Sequence, residues 1–168
     1  MFTDPAKNVA EFGFIPGQKV ADFGSGSGHY STALSKFLGP SGCVYAIDLN
    51  KDMLVKLKNE AFKDGRGNIE IIWGDVEKPN GTKLKDVLVD GVVLSNTLFQ
   101  FQDVTGAVNE AKRILKAGGR VGLVEWRGKG PIQEAEAKNL FASSGLTFER
   151  SFDAGESHYG LIFKKPLQ

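Results

Sequence analysis

The sequence predicts an α/β fold: one doubly wound domain with a mostly parallel seven-stranded sheet, helices on both faces and an antiparallel terminal strand. Three observations carry this expectation. Short apolar, β-branched runs alternate with longer amphipathic ones, which implies right-handed βαβ units. The first five apolar runs are too hydrophobic for half-exposed strands and suit a sheet covered on both faces. Only residues 154–157 separate the last two runs. That is too short for a crossover helix, so those strands pair as an antiparallel hairpin or lie as neighbours joined by a tight loop.

The expected strands are Lys19–Gly24, Cys43–Leu49, Ile69–Asp75, Val89–Asn96, Arg120–Trp126, Leu146–Asp153 and His158–Lys164. Each intervening helix has its own punctuation. Asp4-Pro5 reads as an N-cap followed by proline at the first helical position, with Gly13 ending that helix. His29–Leu38 stops at Gly39-Pro40, and Lys51–Lys63 follows a capping Asn50 and closes at Gly65. Asp103–Lys116 starts at a capping aspartate and ends at Gly118-Gly119, and Pro131–Ser144 ends at Gly145. No linker divides the chain. Residues 1–168 therefore read as one domain, with an N-terminal helix in 1–18, a ligand-binding core over 19–126, and a C-terminal helix and strand pair over 127–168.

The net charge is only +1. No global basic field argues for a nucleic-acid partner. The one cysteine, Cys43, excludes a disulfide framework and sits at a strand start, where a buried structural thiol is expected. Met1-Phe2-Thr3-Asp4-Pro5 lacks the basic and apolar stretches of a signal peptide, and the longest apolar runs fall far short of a membrane span. A cytoplasmic protein with no membrane contact is the expectation.

The chemistry concentrates where the first strand meets the first long helix, in Asp22-Phe23-Gly24-Ser25-Gly26-Ser27-Gly28-His29-Tyr30. Glycines at alternate positions let the backbone turn sharply and approach a ligand closely. The helix that follows presents free N–H groups to an anion. A second acid, Asp48, ends the next strand twenty residues after Gly28. An acid there accepts hydrogen bonds from the ribose hydroxyls of an adenosine-type ligand.

A dinucleotide loop reads GxGxxG, whereas these glycines fall as GxGxG with Asp22 two residues ahead of the first. This resembles the first motif of the class I, Rossmann-like S-adenosylmethionine-dependent methyltransferases. Asp48-Leu49-Asn50-Lys51-Asp52-Met53 resembles their second motif, Trp73-Gly74-Asp75-Val76 the third and Asp90–Leu98 the fourth. Ile114–Val121, with its Lys116-Ala117-Gly118-Gly119, resembles the helix–turn–strand that comes next. Together these segments cover roughly residues 19–126. The resemblance implies S-adenosyl-L-methionine as cofactor and S-adenosylhomocysteine as product. Its implied binding set is Asp22, Gly24, Ser25, Gly26, Gly28 and His29, then Asp48, Leu49 and Met53, then Gly74, Asp75 and Val76, and finally Ser95 and Asn96. Asp22 would help hold the methionine amino group, and Leu49 and Met53 would flank the adenine. Asp75 would accept from the adenine amino group, while the next amide, on Val76, reaches a ring nitrogen.

Within the family the chain looks closest to the branch of small-molecule and quinone methyltransferases whose fourth motif reads like S-N-x-L-H-H. Phe99 and Gln100 stand where that branch has histidines, so no base role carries over. An N-P-P-Y run is also missing, which argues against methylation of adenine or glutamine amino groups. Because ligands bind outside the carboxyl ends of the strands, Asn96, Glu125 and Trp126 are the expected catalytic residues. Phe99, Phe101 and Trp126 would form an apolar wall.

Blander roles compete at several of these positions. Asp75 and Asn96 suit turns, Trp126 and the other aromatics suit packing, and His158 suits a structural position. His29 opens a helix whose dipole disfavours its protonation, so it reads as a neutral hydrogen-bonding partner. The short connections leave the methyl group poorly covered. A large acceptor, a second subunit in a homodimer, or the helix Pro5–Phe12 folding over as a lid would each cover it. An RNA or protein methyltransferase with the same core, a non-catalytic cofactor-binding protein and a nicotinamide-dependent oxidoreductase are the alternatives, and the methyl acceptor is not named by the sequence.

Overall fold

The structure, a computed structural model, describes residues 3–128 and 132–168. The strands are β1 (Lys19–Phe23), β2 (Cys43–Asp48), β3 (Ile69–Trp73), β4 (Val89–Ser95), β5 (Leu115–Trp126), β6 (Thr147–Phe152) and β7 (His158–Lys164). They form one sheet in the order β3-β2-β1-β4-β5-β7-β6. The pairs β3–β2, β2–β1, β1–β4 and β4–β5 are parallel. β7 runs antiparallel to both β5 and β6, so the expected terminal hairpin inserts its second strand beside β5. Strand order reverses between β1 and β4, which opens a crevice at their carboxyl ends.

The helices are α1 (Pro5–Glu11), α2 (His29–Leu38), α3 (Lys51–Lys63), α4 (Val104–Ile114) and α5 (Glu134–Ser143), with a 3-10 turn at Leu98–Gln100. Successive strand residues point to opposite faces, and the core divides accordingly. Val92 and Leu94 join Phe23, Ile47 and Phe141 on the face covered by α4 and α5, while Val93 joins Val20 and Leu34 on the face covered by α1 and α2. Phe12 and Phe14, just after α1, lie over Gly122 of β5 and Gly91 of β4, where a Cβ would strike their rings. Burying two such side chains contributes about 1.5–3 kcal/mol each and fixes α1 beside the crevice.

The structure corrects the sequence in three places. β3 is an edge strand with Trp73 half exposed, not a strand covered on both faces, because nothing follows it in the sheet. The fourth long helix ends at Ile114 rather than Lys116, and Leu115 already pairs with Val89. Gly118 and Gly119 lie within β5, beside a register shift opposite Asp90, where a Cβ on Gly119 would come within 3.0 Å of the Asp90 carbonyl. The last helix starts at Glu134, and the expected start at Pro131 lies outside the described residues. Elsewhere boundaries move by one or two residues. Asp4, Asn50 and Asp103 all cap their helices, accepting from Lys7, Met53 and Gly106 amides respectively.

Candidate functional site

The glycine loop is stitched to β2 before any ligand is considered. The Gly24 and Ser25 amides both donate to the Ile47 carbonyl, at 2.9 and 3.0 Å. Gly24, Gly26 and Gly28 have φ of +68°, +54° and +89°, which favour glycine at each position. Their surroundings differ. A Cβ on Gly26 would meet nothing within 4 Å, so this face of the loop looks into open space. On Gly28 it would collide with Leu57 of α3. Gly28, expected to touch the cofactor, does not line the cavity and instead allows α2 to pack close to α3.

A cavity of about 440 Å³ opens at the carboxyl ends of β1, β2 and β4. Asp22, Gly24, Ser25, Gly26, His29 and Asp48 line one side, with Ser95 and Asn96 across from them. A second cavity of about 130 Å³ adjoins it, sharing Gly24, Asp48, Thr97 and Gln100, and reaches Leu49, Gly74, Asp75 and Val76. The four sequence segments thus meet at one crevice. Met53 stands half exposed and lines neither cavity. Sequence reading missed Thr3, Pro5, Ser27, Tyr30, Thr97 and Gln100, which also line the larger cavity. Ser27 and Tyr30 lie within the first motif segment and Thr97 within the fourth, and Pro5 opens the helix expected as one possible lid; Thr3, just before it, carries no signal of its own.

Two acids dominate the electrostatics. Asp48 accepts from the Gly26 amide through Oδ2 and from the Asn50 amide through Oδ1, both at 2.8 Å. That pair of bonds fixes the carboxylate at the boundary of the two cavities. Asp22 is buried and accepts from the Ser31 hydroxyl at 2.7 Å. Burial pushes its pKa up to about 7, the Ser31 bond opposes that rise, and the charge of Asp48 adds to it. Asp75 accepts from the Glu77 amide at 3.0 Å, so it caps a turn while also lining the smaller cavity.

The β4 end is strained. Asn96 has φ of +52°, and its Oδ1 is buried with no hydrogen-bond partner. The Ser25 and Thr97 hydroxyl oxygens are likewise buried and unpartnered. A buried polar atom without a partner costs free energy. Three of them around one cavity is the pattern of a site waiting for a polar ligand. The donor set fits S-adenosylmethionine: carboxylates for ribose and ammonium, an open glycine face, and a smaller compartment for a ring.

Two of the expected catalytic residues do not reach this cavity. Glu125 is buried, and its carboxylate accepts from the Leu98 amide at 3.2 Å and the Trp126 amide at 3.1 Å. Burial raises its pKa. It tethers the loop after β4 instead of facing the crevice. Trp126 lies against His158, ring centroids 4.2 Å apart, and lines neither cavity. His158 is buried in the strand pair with Nε2 unpartnered, and burial lowers its pKa. Phe99 is exposed, and Phe101 alone of the proposed aromatic wall borders a cavity, the smaller one. Cys43 is half-buried and free, and burial raises its thiol pKa.

Residues 21–123 match the family model described as a methyltransferase domain. The chain belongs to the class I S-adenosylmethionine-dependent methyltransferases. The chain is 32% identical over 121 residues to a demethylmenaquinone methyltransferase of Lactococcus lactis, covering 71% of this chain and 46% of that protein. It is 30% identical over 151 residues to the ubiquinone/menaquinone biosynthesis C-methyltransferase UbiE of Hahella chejuensis, covering 89% of this chain and 59% of that one. The chain therefore spans about half the length of these curated relatives. A SAM-dependent methyltransferase from Aquifex aeolicus superposes with a TM-score of 0.87 at 29% identity, over 96% of this chain and 89% of the other. The family's cofactor is S-adenosyl-L-methionine. Among the described residues, no helix of the chain is long and apolar enough to cross a membrane.

Proposed function

We propose that this chain transfers a methyl group from S-adenosylmethionine to a small-molecule acceptor, with a quinone-type ring as the first acceptor to test. The observation that supports this best is the crevice between β1 and β4. It joins Asp48, Asp22 and an open Gly26 face to three buried polar atoms that have no partner in the protein. The acceptor class is suggested by relatives named as quinone methyltransferases.

When bound, S-adenosylmethionine supplies an electrophilic methyl group on a sulfonium, whose departure needs no proton. The work of the chain is then orientation, which supplies much of the rate of such a displacement. Asp48, held by two backbone amides, would accept from the ribose hydroxyls. Asp22 would face the ammonium and Asp75 the adenine amino group. Ser95, Asn96 and Gln100, on the far wall of the larger cavity, would orient the acceptor. Phe99 and Gln100 supply no base where the quinone branch has histidines, so the acceptor's proton would leave by prior ionisation, to solvent or to His29 on the cavity wall.

The test has two stages. Calorimetry should detect binding of S-adenosylhomocysteine but not of NAD. Incubation with methyl-labelled cofactor, first with a demethylated quinol and then with fractionated cell extract, should label a small molecule. Absence of cofactor binding would end the proposal. Label found only in RNA or protein would move the acceptor to that class.

A further inference from the structure

Two side chains that line the larger cavity, Thr3 and Tyr30, form a closed polar triangle with Asn8 of α1, and none of the three is in the implied cofactor-binding set. The Asn8 Nδ2 donates to the Thr3 hydroxyl at 2.7 Å and to the Tyr30 hydroxyl at 2.8 Å, and those two hydroxyls lie 2.7 Å apart. Asn8 is buried on α1, and Tyr30 is buried in the first turn of α2. Thr3 precedes α1. The triangle therefore ties the N-terminal segment to the helix that follows the glycine loop.

Hydrogen accounting shows that this cluster is incomplete. An amide nitrogen donates and accepts nothing. On the edge between the two hydroxyls only one hydrogen can lie, whichever oxygen donates it. The other hydroxyl hydrogen has no acceptor within the triangle. Both hydroxyl-bearing residues, Thr3 and Tyr30, line the cavity, beside His29 and Asp22. The spare hydrogen is thus available to a ligand oxygen in this cavity.

We propose that Thr3 and Tyr30, held by Asn8, form a shared hydroxyl donor that positions a ligand oxygen in this cavity, and so make the N-terminal segment part of the binding site. This rests on the methyltransferase reading above. The oxygen is of one chemical type, a carboxylate or an ionised or carbonyl oxygen, with two sources: the carboxylate of the cofactor's amino-acid end or an oxygen of the acceptor. Asn8 acts as a positioning residue, since its side-chain amide donates to the two hydroxyls and it does not itself line the cavity.

The arrangement carries a signature that ordinary packing would not. In Thr3→Val the Tyr30 hydrogen is released from the shared edge and can still serve the ligand. In Tyr30→Phe the Thr3 hydrogen can do the same. Each single variant should therefore bind within about threefold of the parent. The double variant loses the donor altogether, and the loss of a hydrogen bond to a charged oxygen is worth about tenfold or more. Both replacements keep side-chain volume, and the Tyr30 ring keeps its stacking with Phe12.

Calorimetry on the parent, both single variants and the double variant, with S-adenosylhomocysteine and with 5′-methylthioadenosine, separates the sources. If the double variant alone loses tenfold for S-adenosylhomocysteine but not for methylthioadenosine, which lacks the amino-acid end, the oxygen is the cofactor's carboxylate. Suppose instead that both affinities hold while label transfer into cell extract slows tenfold in the double variant. The oxygen then belongs to the acceptor. A double variant with parental melting temperature, parental affinity and parental label transfer would overturn the proposal. Strictly additive losses in the single variants would also overturn the shared donor. A parent that binds no S-adenosylhomocysteine would instead refute the methyltransferase reading itself, so the two failures are told apart.

Discussion

Asn96 is a place where fold stability and ligand binding should pull in opposite directions, and Asn96→Gly tests this. Asn96 holds φ of +52°, with its side-chain oxygen buried and unpartnered. An unmade hydrogen bond of that kind costs about 1–3 kcal/mol. Relief of the left-handed backbone adds on the order of 0.5–1 kcal/mol, less than for a β-branched residue because asparagine tolerates this conformation. Against both stands the extra freedom of glycine in the unfolded chain, roughly 0.5–1 kcal/mol. The balance is a gain of about 1–3 kcal/mol, which for a chain of this size raises the melting temperature by roughly 2–12 °C. The same substitution removes a polar atom from the cavity wall, so ligand binding or turnover should suffer. Differential scanning calorimetry with and without saturating S-adenosylhomocysteine reads both effects. The free protein should melt higher while label transfer falls. If Asn96→Gly melts several degrees lower and transfers label at the parental rate, then neither the strain nor the orphaned oxygen belongs to a ligand site.

Three further outcomes follow from the same geometry. Asp48→Ala should weaken S-adenosylhomocysteine at least tenfold by calorimetry, since each bond to the charged carboxylate is worth about 1.5–3 kcal/mol; an unchanged dissociation constant would remove the ribose assignment. Asp22 binds its proton more tightly folded, with a pKa near 7, than unfolded, near 3.8. The folded state therefore holds the extra proton between those values, and stability should fall as pH rises from about 4 to about 7, by on the order of 4 kcal/mol. Asp22→Asn should flatten that slope in urea titrations, while in the parent S-adenosylhomocysteine affinity should rise between pH 6 and 8 as the carboxylate proposed to face the ammonium ionises. Gly28→Ala should cost about 2–4 kcal/mol, from a left-handed backbone at φ of +89° and a Cβ driven into Leu57. A melting temperature equal to the parent's would show that the α2–α3 contact yields easily.

Local signals in the chain were sufficient for the strand–helix alternation, the three side-chain helix caps and the crossover-free ending, because each depends on periodicity or on residues a few positions apart. The same holds for the GxGxG loop and Asp48, whose backbone bonds run between the ends of adjacent strands. Local signals could not separate Gly26, which faces open space, from Gly28, which faces Leu57, since the two differ only in what the fold brings against them. Nor could they separate Asn96 from Glu125. Both end strands at the crevice, yet Asn96 lines the cavity, while the loop after β4 lies across Glu125 and takes its carboxylate for the Leu98 amide. Trp73 reads as a buried strand residue until the strand order makes β3 an edge. The Thr3–Asn8–Tyr30 triangle spans 27 residues and forms because Phe12 and Phe14 dock on the glycine faces of β5 and β4. Spacing along the chain determined which residues could make a nucleotide-type loop. Packing between distant elements decided which of them face the cavity, because burial and hydrogen-bond partners are properties of the neighbours and not of the residue alone.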